Sequence, residues 1–183
     1  MNGEPQELGE TLLVVARESI AEALGGRVPQ VGRRSRPELE QPGASFVTLR
    51  LDGELRGCIG SLEPRRALYE DVRLNARAAA LDDPRFTPLR VEELERVRLE
   101  VSLLSSLEPI EAASEPALLT ALEPGRHGLM IEKGPRRATF LPQVWSSLSE
   151  PREFLRQLEK KAGFAWSPQV GSWRYTVRKW SEA

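Results

Sequence analysis

Residues 44–51 (ASFVTLRL) and 54–60 (ELRGCIG) alternate apolar and polar side chains on either side of Asp52-Gly53. An Asp-Gly pair between two such runs is a strong signal for an antiparallel hairpin. Side chains on a strand change face at every residue, so the length of the turn decides which residues meet. A strict two-residue loop opposes Leu51 to Glu54 and puts Val47 and Leu49 on the face of Arg56 and Cys58, mixing core with charge. A three-residue loop, with Gly53 closing a type I turn as a bulge, moves the parity by one. Val47, Leu49 and Leu51 then share a face with Leu55, Gly57 and Ile59, while Thr48, Arg50, Arg56 and Cys58 share the other. The second arrangement is expected, because it separates core from charge.

The remaining pattern surrounds this hairpin with helices and further strands. Leu8, Leu12, Val15, Ala16, Ile20 and Leu24 recur at helical spacing over residues 8–24, ended by Gly25-Gly26. Residues 25–43 read as a Gly-, Pro- and Arg-rich loop, locally basic through Arg33, Arg34 and Arg36. A helix is expected over 65–81 with Pro64 in its first turn, then a DDPRFTPL turn and a strand over 97–105. A short helix at 115–122, a hairpin through Gly134-Pro135, a helix from Pro151 ended by Gly163, and one closing strand over 172–180 complete the series. Helices and strands interleave without a regular βαβ rhythm, which points to an α+β fold with mixed or antiparallel sheets flanked by helices.

Length, composition and charge narrow the function. A chain of 183 residues can bury a real core as a single domain, and its 40% apolar and 29% charged residues suit a globular protein. A net charge of −1 supplies no overall field for nucleic acid or an anionic membrane, so neither is an expected partner. The one cysteine and an acidic opening without a secretory signal point to the cytoplasm. There is no Walker loop, GxGxxG or GxSxG, and no paired Cys or His spacing suited to a metal, so neither cofactor nor metal is expected.

Cys58 is bracketed by Gly57 and Gly60 and, on the expected phase, faces Arg50 and Arg56. Cationic neighbours favour a thiolate, and the glycines leave room for close approach of a ligand. The competing reading is a small buried hydrophobe beside two structural glycines. His127, the single histidine, sits in the GRHGLMI turn and is the one imidazole able to serve Cys58 as a base; otherwise it is a turn histidine bonding its own backbone. Arg85 in DDPRF could clamp an anion beside Phe86, against a helix-ending turn with Phe86 in the core. Trp166, Trp173, Tyr175 and Trp180 are read as core and rim packing rather than a base-stacking platform.

FVTLRLDGELRGCIGSLEP, DDPRFTPL, LEVSLLSSLEPI, HGLMIEKG, ATFLPQVW and LEKKAG occur in the order found in the AMMECR domain family, which this chain resembles over residues 8–180. The resemblance implies an α+β fold of two unequal lobes over residues 8–181, with 1–7 expected to be disordered. Family members include the bacterial and archaeal "AmmeMemoRadiSam system protein A", which implies Memo-like and radical-SAM partners in a modification pathway. It also implies an active or ligand-binding site at LRGCIG, carried here by Leu55, Arg56, Gly57, Cys58, Ile59 and Gly60, with Arg85 and His127 as further polar motif positions. The alternative expectation is a non-catalytic binding or adaptor module in which LRGCIG is structural, and the second alternative is a nucleic-acid-binding regulator resting on the arginine patches and C-terminal aromatics.

Overall fold

A computed structural model describes residues 3–26 and 36–183. Arg33 and Arg34 of the basic loop lie outside the described residues. In chain order the first elements are α1 (Gly3–Ala23), α2 (Pro37–Glu40), β1 (Pro42–Gly43), β2 (Ser45–Leu51), β3 (Glu54–Gly60), β4 (Arg66–Ala67), α3 (Leu68–Leu81) and β5 (Val97–Leu104). There follow β6 (Glu108–Pro109), α4 (Glu115–Thr120), β7 (Gly128–Lys133), β8 (Arg136–Phe140), α5 (Pro151–Ala162), β9 (Gly171–Tyr175) and β10 (Val177–Ser181). The fold is α+β and divides into two compact units, the first running to Leu104 and regaining Arg178–Ala183, the second formed by Ser105–Val177.

The first unit is built on a four-stranded sheet in the order β10-β5-β2-β3, with β2 antiparallel to both neighbours. Its inner face carries Val47, Leu49, Leu99 and Val101, all fully buried against Leu12 and Ile20 of α1 and Val72 and Ala76 of α3. Removing such side chains from water is worth about 1.5–3 kcal/mol each, which makes this layer the main stabilising element of the unit.

The hairpin departs from expectation in an informative way. Its loop has two residues: Leu51 lies opposite Glu54, and Asp52 (φ 53°) and Gly53 (φ 87°) both occupy the left-handed region of a type I′ turn. Parity changes further along, where Leu49 faces Gly57 but Arg50 faces Leu55, leaving Arg56 as an extra residue in β3. Val47, Leu49, Leu51, Gly57 and Ile59 therefore keep the expected inner side. Leu55 does not, and is exposed. The bulge achieves the separation of core from charge that the longer loop was expected to supply.

Other boundaries shift for comparable reasons. Residues 3–7, expected to be disordered, form the start of α1. Helix α3 starts at Leu68 rather than 65, because Arg66-Ala67 pairs with Pro42-Gly43 and the Leu68 amide donates to the Gln41 carbonyl. The stretch 172–180 is two strands in two different sheets, broken at Thr176. In the DDPRFTPL segment Asp83 and Leu89 are the buried residues, while Phe86 is half-buried under the Arg85 guanidinium.

The second unit has a sheet in the order β6-β9-β7-β8 against which α5 packs. Helix α5 buries Phe154, Leu155, Leu158 and Ala162 and ends, as expected, at Gly163 with φ 75°. Trp145 stacks on Phe154 with ring centroids 3.8 Å apart. The C-terminal aromatics are packing residues: Trp166 leans on this core, Tyr175 is buried with its hydroxyl 2.7 Å from that of Thr139, and Trp180 packs against the first core.

Candidate functional site

The outer face of the first sheet, turned away from α1 and α3, carries a polar row. Thr48 lies directly opposite Cys58 on one side and Glu100 on the other, so the three side chains share this face. The Thr48 hydroxyl donates to Cys58 Sγ at 3.2 Å, and the thiol is half-buried. Glu100 accepts from Arg50 Nε at 2.6 Å and from Lys179 Nζ at 3.0 Å. Burial works to raise the Glu100 carboxyl, but these two cations outweigh it and hold the group below the usual carboxylate range. The row Lys179–Glu100–Thr48–Cys58 thus crosses all four strands, with Ser102 and Phe46 beside it.

The motif's other residues are engaged within the fold. A Cβ at Gly57 would stand 2.1 Å from the carbonyl oxygen of Ala79, so this glycine exists for the approach of α3. A Cβ at Gly60 would meet the Phe46 ring at 2.2 Å. Arg56 pairs with Glu93 through two bonds of 3.0 and 3.1 Å and donates to the Thr87 and Pro88 carbonyls. Glu93 is buried; its bond from Arg56 lowers the carboxyl below its usual range against the desolvation of burial. Arg85 forms a bidentate pair with Asp83 at 2.9 and 2.7 Å, and its Nη2 also donates to the Cys58 carbonyl at 3.2 Å. Asp83 in turn accepts from the Cys58 amide at 2.9 Å, and the Arg85 bond holds its carboxyl far below the usual range.

His127 belongs to the second unit, whereas Cys58 belongs to the first. The His127 Nδ1 accepts from the Glu123 amide at 3.0 Å, and its carbonyl accepts from Trp145 Nε1 at 2.7 Å. Burial, with Arg174 and Arg126 nearby, pushes the imidazole below its ordinary pKa. This is the turn histidine foreseen as the competing reading.

One polar cluster was not foreseen. Asp71, fully buried, accepts from the Ser45 amide and hydroxyl at 2.9 and 2.7 Å, from Ser61 Oγ at 2.7 Å and from Asn75 Nδ2 at 2.9 Å. It ties the start of β2 and the residue after β3 to α3. The available signal was Asp71 and Asn75 at i and i+4 beside the apolar stripe of that helix. Among the described residues no group of three or more His, Cys, Asp or Glu could hold a metal ion, and no helix is long and apolar enough to cross a membrane.

Fold and site together define an α+β protein of two compact units, with a half-buried thiol on the outer row of a four-stranded sheet. The family model for AMMECR1 matches residues 13–180, and the chain belongs to that family. A relative from Aeropyrum pernix is 46% identical over 155 residues, covering 77% of this chain and 64% of the relative's own length. One from Methanothermobacter thermautotrophicus is 35% identical over 187 residues, covering 95% of this chain and 94% of the relative. The crystal structure of uncharacterized protein PH0010 from Pyrococcus horikoshii superposes with a TM-score of 0.86 at 33% identity, covering 96% of this chain and 92% of that one.

Proposed function

We propose that this chain is a component of a cytoplasmic modification system, working with Memo-like and radical-SAM proteins, and that its working group is the thiol of Cys58. The observation that carries the reading is the polar row, in which a hydroxyl donates to the sulfur beside a carboxylate bearing two cations. A thiol so placed can act as a nucleophile or hold a ligand, with Arg50 and Lys179, both bonded to Glu100, the cations of the row for an anionic group. Any iron–sulfur cluster belongs to the radical-SAM partner, because one cysteine cannot ligate one.

The test is the alkylation rate of Cys58 against pH, together with complex formation with the purified Memo-like partner before and after Cys58→Ser. A thiol that reacts readily near neutral pH, and a Ser variant that loses ligand or partner, are expected. A thiol inert until strongly alkaline pH would remove the nucleophilic form of the proposal. The adaptor reading is favoured by a separate observation: Arg56, Gly57, Gly60 and Arg85 all have internal partners or contacts. Partner binding unchanged in Cys58→Ser would select it.

A further inference from the structure

Strand β3 is the edge of its sheet, so alternate amides and carbonyls along it have no strand to pair with. At Cys58 both of these edge groups are nevertheless engaged, the amide by Asp83 at 2.9 Å and the carbonyl by Arg85 at 3.2 Å. The two side chains are locked to one another as a bidentate pair, and the Arg85 amide donates to Asp83 Oδ1 at 3.1 Å. An acceptor and a donor held at fixed separation opposite one residue reproduce what a neighbouring strand would present. The same segment returns at Thr87 and Pro88 to receive Arg56, so the edge is strapped on both sides of Gly57.

We propose that the Asp83–Arg85 ion pair is a surrogate strand that fixes the main chain of Cys58, making the two side chains positioning residues rather than an anion clamp. Its functional weight rests on the reading of Cys58 as the working group, but the positioning itself does not involve the sulfur. The device is asymmetric: Asp83 is buried at 2% side-chain exposure, while Arg85 stands 54% exposed, so replacing Arg85 removes a largely exposed side chain and leaves the Asp83–Cys58 amide bond itself in place.

Hydrogen exchange read at single amides of the full chain tests the proposal. The Cys58 amide points to the edge, and by alternation those of Gly57 and Ile59 point toward β2. In Asp83→Ala the Cys58 amide is expected to exchange about tenfold faster or more, the loss of one charge-assisted bond, with Gly57 and Ile59 unchanged. Arg85→Ala is expected to give a smaller rise at the same amide, and decides the matter alone if Asp83→Ala does not fold. Wild-type exchange at Cys58 in these variants, or a uniform rise along β2 and β3 that tracks global stability, would overturn it. Because no thiol chemistry enters this readout, a failure here and a failure of the Cys58→Ser experiment are separate results.

Discussion

Replacing Gly57 by alanine offers the sharpest test of what the glycines in LRGCIG are for. The new Cβ would lie 2.1 Å from the Ala79 carbonyl oxygen, where ordinary contact begins at 3.4 Å, and the atom it meets is backbone rather than a flexible side-chain tip. Strand β3 and helix α3 would have to separate by about 1 Å, loosening a close-packed layer on both sides. Overpacking of this kind costs about 1–3 kcal/mol, and the absence of any rotamer escape places Gly57→Ala toward the upper end. Urea unfolding followed by tryptophan fluorescence reads this as a fall in midpoint at unchanged slope. Since the glycine faces α3 and the thiol the opposite side, the iodoacetamide rate of Cys58 should move less than the stability. A loss below about 0.5 kcal/mol, the range of neutral surface changes, would refute the packing account and return Gly57 to a role in ligand approach.

Arg56→Ala should cost about 3 kcal/mol, because it takes from buried Glu93 its main counter-charge and leaves only the Arg90 amide and the more distant Arg90 guanidinium; a loss no larger than that of a surface ion pair in denaturant titration would contradict this. Glu93 and Asp83 are both held below their usual carboxylate values, so the unfolded chain binds protons first as pH drops. Their contribution is present above about pH 4.5 and is lost as pH falls through the folded values; the wild-type urea midpoint should decline there, and less steeply in Arg56→Ala. His127, also depressed, adds stability above its ordinary value of 6.5 that is lost as pH falls through the folded one. Its NMR titration midpoint should lie below 6.5 and rise in Arg174→Ala, and a midpoint at or above 6.5 would contradict the burial argument.

Periodicity made most elements legible. The inward residues of α1 and α5, the strand β5 and the glycine stop of α5 all follow from apolar spacing and one left-handed residue, which are local properties. The face of Cys58 was legible as well, since only one parity separates Val47 and Leu49 from the charged residues. Its cause was not: the bulge at Arg56 is chosen by pairing with β2, and a type I′ turn followed by that bulge gives the same faces from Gly57 onward as a bulged three-residue loop. The split of residues 172–180 escaped notice because nothing in an alternating run records which sheet each half joins.

Sequence alone, through one cysteine between two glycines after an Asp-Gly turn, determined where a site could be and which face the thiol takes. Tertiary structure decided what the surrounding residues do. Arg56 and Arg85 read as ligand-binding because charge is visible in a sequence, whereas Glu93 beside Arg56 and the backbone of Cys58 beside Arg85 are not. Glu93 lies 37 residues from Arg56, and Asp83 lies 25 residues from the Cys58 amide that it accepts from. Asp83 is only two residues from Arg85 in the chain, but folding alone brings Glu93 to Arg56 and the Asp83–Arg85 pair to Cys58. Once it does, a buried charge must satisfy its nearest counter-charge, and both arginines become part of the frame around Cys58.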